Sequence, residues 1–444
     1  MKKDPAARFF LAAALSLLVT AVAGAWAVHI VAWPEGDISV FTKLRPLHVT
    51  FALAWIFLAA MGGVHAWLPE SAGRGLVRPG LARLQFWLLA VAGVVATSSY
   101  MQGIFTGREY LNFPLPVSLL IGAAWVCYLV NVIGTARAGK GPWPVWVWMW
   151  ITGAVAFSYT YLEAHLWRIP FFGDTPVRDL SVQWKSYGAL TGSWNMFVYG
   201  LAIALGDRLA GGGTGRSKKA FFFYWLGLTN LMFGWAHHTY HLPQSEWIRW
   251  MAFVISMTEW VIFVSLMMDL ARPFEKGVWK EAPDRMIPRA FLSASTFWVI
   301  VNLILALLIS IPTLNWFTHG THITVAHAMG TTIGINSTIL QGIGFCWFLE
   351  RCRAGEGTRR GIWAGFWLMH VSLLAFFLNL VAAGGIRGLG MTRSGWSFAE
   401  AQERLAPWLA GLPWTSAGLV AGLLLLGGAW LGLLPAARRA EGSA

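Results

Sequence analysis

Long apolar runs separated by short polar segments dominate this sequence. Roughly twelve of them approach or exceed the ~20 residues that an α-helix needs to cross the hydrocarbon core of a bilayer. The pattern predicts an all-α polytopic membrane protein that forms one transmembrane domain over residues 1–444. The predicted spans are roughly 8–33, 46–68, 84–105, 114–135, 143–167, 183–206, 219–242, 246–270, 289–313, 319–349, 361–385 and 412–435.

The first apolar run follows Lys2, Lys3 and Arg8, an arrangement that signal peptides share. The run is long, however, and lacks a convincing small-residue cleavage site, so we interpret it as a spanning helix. The composition agrees with a membrane protein, since 57% of the residues are hydrophobic and 12% are charged.

The distribution of positive charge indicates the topology. Most of the 33 lysines and arginines fall in the N-terminus, the even-numbered loops and the C-terminus, which predicts that both termini are cytoplasmic. The net charge of +13 is thereby explained as a topology signal, and it does not indicate a nucleic-acid partner.

The three cysteines, Cys127, Cys346 and Cys352, lie in or beside predicted helices without a pairing pattern, so we expect no disulfide framework. The sequence also lacks the C-x-x-C-H motif of c-type heme attachment. Any c-type heme must therefore lie on another polypeptide.

Four histidines converge in the predicted topology. His48 opens the second span at its outer end, His237 and His238 close the seventh there, and His327 lies within about three turns of the outer start of the tenth. A buried imidazole is costly in a bilayer unless it is paired or bound to a metal. This layer in the outer leaflet therefore predicts buried heme or metal chemistry.

The remaining histidines lack such partners in the sequence. We expect structural hydrogen bonds for four of them and a position at the outer surface for three. The first group is His29, His65, His165 and His370, and the second is His241, His319 and His322.

His327 and Met329 are about 200° apart around a helix and face nearly opposite sides. Imidazole and thioether are both competent axial ligands of heme iron. One helix can therefore ligate two different hemes.

These residues resemble those of the heme-copper oxidase superfamily over essentially the whole chain, most of all the catalytic large subunit of cytochrome c-dependent nitric oxide reductases. The resemblance implies a twelve-helix bundle like that of heme-copper oxidase subunit I. The segments that carry it are Arg45-Pro-Leu-His48 with Met61-Gly62-Gly63, Gly107-Arg108-Glu109-Tyr110-Leu111, Trp235-Ala-His237-His238, Thr318-His-Gly-Thr321 with Ala326-His327, and Phe366-Trp-Leu-Met369.

The resemblance implies the cofactors. His48 is expected to ligate a low-spin heme b, His327 a high-spin heme b, and the pair His237 and His238 a non-heme iron or other metal. Met329 stands where the family has the second low-spin histidine, and we favour a heme with His48 and Met329 as ligands over an absent or five-coordinate heme.

The sixth span departs from the family pattern. Gly188 and Gly192 occupy the positions of a third histidine and of a glutamate, and neither can bind a metal. Glu259, which lies 21 residues after His238, matches a functional glutamate of the reductases. It is predicted either to complete a set with the two histidines or to act as a buried proton-relay or structural acid. Glu163 is a weaker candidate of the same kind.

Three charged residues on the outer side have implied partners. Arg45 and Arg108 match arginines that contact heme propionates, and Glu109 matches a glutamate that helps to bind a structural calcium. An ordinary loop salt bridge is the alternative.

The function implied by the resemblance is respiratory reduction of two nitric oxide molecules to nitrous oxide and water. The resemblance also implies a membrane-anchored partner subunit that carries cytochrome c. It further implies a location in the bacterial inner membrane, with the hemes near the periplasmic side. One alternative is a divergent oxidase that reduces O2, although Leu231 and Tyr187 lack the tyrosine–histidine arrangement of the oxidases. The other is a degenerate subunit that binds heme for electron transfer or gas sensing.

Overall fold

The computed structural model describes residues 5–33, 38–211, 214–261, 265 and 283–442. Within these ranges the regular structure is entirely helical. In chain order the α-helices are α1 (Pro5–Ala32), α2 (Ile38–Ala72), α3 (Pro79–Met101), α4 (Leu115–Ala138), α5 (Val145–Glu163), α6 (Pro170–Gly173), α7 (Pro176–Ala210), α8 (Lys218–Phe233), α9 (Glu246–Met257), α10 (Pro283–Ile309), α11 (Pro312–Thr318), α12 (His322–Met329), α13 (Thr338–Leu349), α14 (Glu356–Arg393), α15 (Phe398–Leu409) and α16 (Leu412–Gly442).

Among the described residues, nine helical stretches are long and apolar enough to cross a membrane. They are α1, α2, α3, α4, α7, α10, α14, α16 and the stretch His322–Leu349. An integral membrane protein is thereby confirmed, whereas twelve spans are not. The predicted spans 143–167, 219–242 and 246–270 do not qualify, and part of the last one lies outside the described residues.

The predicted helix 219–242 is interrupted. Ser217 caps the start of α8 by accepting a hydrogen bond from the backbone N–H of Ala220 at 3.1 Å, and α8 ends at Phe233. A 3₁₀ segment, Gly234–Thr239, follows it. The prediction of one continuous helix is therefore wrong, because the chain tightens to about three residues per turn where the two histidines lie.

The predicted span 319–349 begins at His322, where the Thr321 side chain accepts a hydrogen bond from the backbone N–H of Ile323. After Met329 it widens into a π-helical segment, Gly330–Ser337, before α13 continues. A π turn inserts a residue into the helical ladder and is frequently found at functional sites.

The α10 helix packs closely against this π segment. A Cβ on Gly330 would lie 2.4 Å from the Asn302 side chain, and one on Gly334 would lie 2.5 Å from the ring of Trp298. Both positions therefore need glycine for this approach. The close packing of α10 therefore stabilises the π-helical segment, and hydropathy alone does not reveal this packing.

The chain divides into two compact units. The first contains residues up to Phe10, Phe57–Ser99 and Phe113–Ser265, and the second contains Leu11–Ile56, Tyr100–Asn112 and the described residues after position 266. The first unit holds His237, His238 and Glu259, whereas the second holds His48, His327 and Met329. A single transmembrane domain stays a prediction.

Candidate heme and metal centre

His48 is held by α1 within the second unit. Its ring Nδ1 lies 2.8 Å from the backbone carbonyl of Thr20, and the Thr20 hydroxyl donates to the carbonyl of His48 at 2.9 Å. A carbonyl only accepts hydrogen bonds, so Nδ1 carries the hydrogen and Nε2 keeps its lone pair. This is the arrangement by which proteins orient metal-binding histidines.

The approach of the His48 ring to α1 depends on Gly24. A Cβ at that position would lie 2.6 Å from both Nδ1 and Cε1 of His48, a distance too short for real contacts. The surrounding packing comes from Ala23, Ile30 and Leu44, which form a buried apolar cluster. The helix α2 begins at Ile38, eight residues before the predicted start of this span. His48 therefore lies within α2 and does not open it, and α1 fixes its ring.

His327 lies on α12, one helix turn before the π segment. Its backbone carbonyl accepts a hydrogen bond from the Thr331 hydroxyl at 3.0 Å, and the Asn302 amide lies 2.7 Å from that hydroxyl. Among the described residues we find no hydrogen bond to either ring nitrogen of His327. A half-buried imidazole of this kind fits the axial ligand of a heme.

Met329 is the last residue of α12 and is half-buried. Because α12 is a regular α-helix, its side chain leaves the helix about 200° from that of His327, as predicted. The two side chains therefore lie on different faces of α12. Coordination of a second heme by Met329 stays a prediction.

In the first unit, the 3₁₀ segment brings the two adjacent histidines together. The Nε2 atoms of His237 and His238 lie 3.1 Å apart, and the ring centroids 4.3 Å. With metal–nitrogen bonds of ~2.0–2.1 Å, this separation corresponds to an N–metal–N angle of about 100°, which suits two cis ligands. The pair therefore fits a shared metal ion.

Each histidine of the pair has a separate support. Nδ1 of His237 lies 3.1 Å from the hydroxyl of Ser256, a buried residue of α9. The ring of His238 is stacked on that of Trp184 of α7, with centroids 5.0 Å apart and planes 13° apart. These contacts leave both Nε2 atoms directed toward each other.

The positions of the missing ligands on α7 are closed by packing. A Cβ on Gly188 would lie 2.5 Å from Cβ and 3.1 Å from Cα of Trp235, and one on Gly192 would lie 2.8 Å from the Leu231 side chain. Since part of each contact is backbone, no side chain fits there without a helix shift. Positions 188 and 192 of α7 therefore have no room for a metal-binding side chain.

Glu259 does not join the histidine pair. Among the described residues, no group of three or more histidine, cysteine, aspartate or glutamate side chains is close enough to hold a metal. The Glu259 carboxyl instead lies within electrostatic reach of Tyr199 of α7. The described residues therefore do not show the three-ligand set, and a proton-relay or structural role for Glu259 stays a prediction.

In the second unit, Arg45 of α2 forms an ion pair with Glu109, which lies in the segment between α3 and α4. Tyr110 adopts a left-handed conformation with φ of 61°, which is strained for a residue with a side chain. Burial, together with the Glu109 carboxylate, raises the pKa of Tyr110 to about 12, so its phenol stays neutral.

The backbone N–H of Arg108 donates to the Thr106 hydroxyl at 3.2 Å. Because Ca²⁺ takes six to eight oxygen ligands, Glu109 alone does not make a calcium site in the described chain. Calcium binding and the propionate contacts of the two arginines stay predictions.

Three of the histidines that we expected to be structural have protein partners. Nε2 of His65 lies 3.2 Å from the Gln85 side chain, and Nδ1 of His370 accepts from the Trp298 indole at 2.9 Å. Nδ1 of His165 lies 2.8 Å from the Tyr161 carbonyl. The expected hydrogen bonds are therefore present at these three histidines, and their structural role stays a prediction.

Sequence reasoning missed Thr20 and Ser256. Each is one small polar residue in an apolar helix, a pattern that is common in membrane helices and carries no specific signal. Only the tertiary structure shows that each is adjacent to a predicted ligand.

Comparisons with known proteins indicate the family of this chain. Residues 4–416 match the family model described as cytochrome c and quinol oxidase polypeptide I. A nitric oxide reductase subunit of Stutzerimonas stutzeri is 22% identical over 377 residues, covering 78% of this chain and 76% of the relative. A cytochrome c oxidase subunit 1 homolog of Agrobacterium tumefaciens (strain T37) is 24% identical over 420 residues, covering 86% of this chain and 74% of the relative.

The fold is also similar to a solved structure, a cryo-EM structure of a heme-copper terminal oxidase dimer, with a TM-score of 0.74 and 13% sequence identity. The match covers 98% of this chain and 84% of the other. The family match over nearly the whole sequence shows that this chain belongs to the cytochrome c and quinol oxidase polypeptide I family of heme-copper oxidoreductases.

Proposed function

We propose that this chain is the catalytic large subunit of a respiratory nitric oxide reductase. The reaction consumes two nitric oxide molecules, two electrons and two protons, and it gives one nitrous oxide and one water. The observation that carries the proposal is the converging histidine pair, with Nε2 atoms 3.1 Å apart. The similarity to the nitric oxide reductase of Stutzerimonas stutzeri supports the choice of substrate.

The proposed cofactors follow from the side chains. His48 and Met329 would hold a low-spin heme b, His327 a high-spin heme b, and His237 with His238 an iron or other transition metal. When bound, these groups supply the electrons and the Lewis acidity that the coupling of two nitric oxide molecules needs.

The protein contributes orientation and protons. The Thr20 carbonyl and the Ser256 hydroxyl fix the imidazoles of His48 and His237, so that little reorganisation accompanies binding. Glu259, whose carboxyl lies within electrostatic reach of Tyr199, is proposed to hold a proton for the reaction. Arg45 and Arg108 are proposed to pair with heme propionates.

The proposed assembly is in the bacterial inner membrane, with both termini in the cytoplasm and the hemes toward the periplasm. A membrane-anchored partner subunit with a c-type heme would deliver electrons. The absence of a C-x-x-C-H motif from this chain supports a separate electron donor.

The closed face of α7 favours a second candidate function. A protein that retains its hemes without a second metal would bind gas or transfer electrons without reducing nitric oxide. The contacts of Gly188 with Trp235 and of Gly192 with Leu231 are the observation behind this alternative.

The experiment is anaerobic turnover of the purified complex with nitric oxide and a reduced electron donor. We expect one nitrous oxide for every two nitric oxide molecules consumed, and loss of that activity in His238→Ala. Nitric oxide binding without turnover would support the second candidate. Fast reduction of O2 with negligible nitrous oxide formation would instead indicate an oxidase.

A further inference from the structure

One face of α7 carries Trp184, Gly188 and Gly192 and packs beside the histidine pair. Trp184 lies four residues, about one turn, before Gly188 and eight before Gly192. Residues at this spacing share one face of a helix. This face contacts α8 and the 3₁₀ segment that carries the histidine pair.

The stacking of Trp184 on His238 restricts the orientation of that imidazole. The ring torsion of a histidine is intrinsically broad. A nearly parallel ring at 5.0 Å is within the favourable range for offset stacking, and rotation of the imidazole away from this plane would lose that contact. On the other side of the pair, the Ser256 hydroxyl restricts His237.

The two glycines are necessary for that stacking. They allow α7 to approach Trp235 and Leu231 so closely that an added Cβ would lie 2.5–2.8 Å from them. A larger residue at either position would move α7 away and separate the two rings. The loss of the α7 ligands and the close approach of Trp184 are therefore two aspects of the same packing.

An ion pair anchors α7 beside the tryptophan. The ammonium of Lys185, the next residue, pairs with the carboxylate of Glu163 at the end of α5. The side chains are 31% and 21% exposed, and the ammonium also lies 5.4 Å from the centre of the Tyr159 ring. A single charge in this region would be costly, so each partner holds the other in place.

We propose that Trp184, anchored through the ion pair of Lys185 with Glu163, is a positioning residue that orients His238 for metal binding in place of the absent α7 ligands. The proposal rests on the proposed function only in that the pair binds a metal. It assigns to α7 the role of an aromatic clamp.

The test uses Cu(II) as a probe of the histidine pair in the purified, metal-depleted complex. Affinity is measured by competition with a chelator, and the nitrogen couplings in the Cu(II) EPR spectrum report the orientation of the imidazoles. We expect Trp184→Leu to bind Cu(II) on the order of 10- to 100-fold more weakly, the usual effect of losing an outer-shell support. The lines split by the nitrogen couplings should broaden in this variant, because the imidazole of His238 would take up several orientations.

The matched control is Trp184→Phe, which keeps an aromatic ring and should stay within about 3-fold of the parent affinity. Lys185→Met and Glu163→Gln should each weaken binding, whereas the double variant should recover part of the loss because no charge is left unpaired. A merely structural tryptophan would lower the thermal stability of the Leu variant without a change in affinity or couplings.

Unchanged affinity in Trp184→Leu, or a parent protein that takes up no Cu(II) at the pair, would overturn the proposal. Its failure is distinguishable from failure of the proposed function. Nitrous oxide formation with an unaltered Trp184→Leu affinity refutes the clamp alone. Clamp-dependent Cu(II) binding without nitrous oxide formation refutes the reductase alone.

Discussion

Restoring a side chain at position 188 tests the close packing of α7 most simply. The structure predicts that Gly188→Ala destabilises the protein and that Gly188→His does not rebuild a metal ligand. The added Cβ would lie 2.5 Å from Cβ and 3.1 Å from Cα of Trp235, so the backbone of one helix must move. Overpacking of this kind costs about 1–3 kcal/mol.

Two opposing effects determine the net change in the free energy of unfolding of Gly188→Ala. Replacing glycine by alanine inside a helix contributes up to about 1 kcal/mol of stability. We therefore expect Gly188→Ala to lose about 0–2 kcal/mol, which corresponds to as much as roughly a 30-fold change in the folding equilibrium. Gly227 of α8 is the matched control, because its added Cβ would meet only the end of Met196 at 3.5 Å. Gly227→Ala should be neutral or stabilising.

The assay is thermal inactivation of the purified variants in one detergent, followed by the heme absorption spectrum, with metal content measured in parallel. We expect Gly188→Ala to inactivate faster than Gly227→Ala, and Gly188→His to have no more metal than the parent protein. If Gly188→Ala is as stable as the control, or if Gly188→His gains metal affinity, the inferred packing is wrong.

Three further predictions concern the ligands. Gly24→Ala places a methyl group 2.6 Å from the His48 ring, so the low-spin heme spectrum should change to that of a five-coordinate species; an unaltered spectrum would contradict the position of His48. Met329→His should keep that heme six-coordinate and lower its reduction potential in a redox titration, because histidine replaces a thioether; an unchanged potential would remove Met329 from the ligand set. Ser256→Ala should weaken metal binding at His237 by roughly 10- to 100-fold in a chelator competition, with Ser256→Thr close to the parent, and equal affinities would show that the hydroxyl is dispensable.

Hydropathy predicted most of the spanning helices well, because crossing a bilayer imposes a length and an apolar composition that the sequence displays directly. The expected span 8–33 corresponds to Pro5–Ala32, and 412–435 lies within Leu412–Gly442. The end of α8 at Phe233 was not predictable from hydropathy. The apolar run continues past Phe233, although the chain changes there from an α-helix to a 3₁₀ segment.

The candidate site was predictable as far as residue type and helical register allowed. The adjacent histidines and His327 stood out because imidazoles are rare and costly in a membrane. The supports of these residues were not predictable, because Thr20 precedes His48 by 28 residues and Ser256 follows His237 by 19. Such contacts depend on which helices pack together, and a single serine or threonine gives no indication of its neighbour.

The ratio of metal to heme in the purified complex shows whether the histidine pair is a metal site. We expect two b-type hemes and one further transition-metal ion for each copy of this chain. His237→Ala should lose the metal and retain both hemes. Two hemes without an additional metal would contradict this prediction, because the histidine pair would then not be a metal site and the chain would be a heme-binding relative without reductase chemistry.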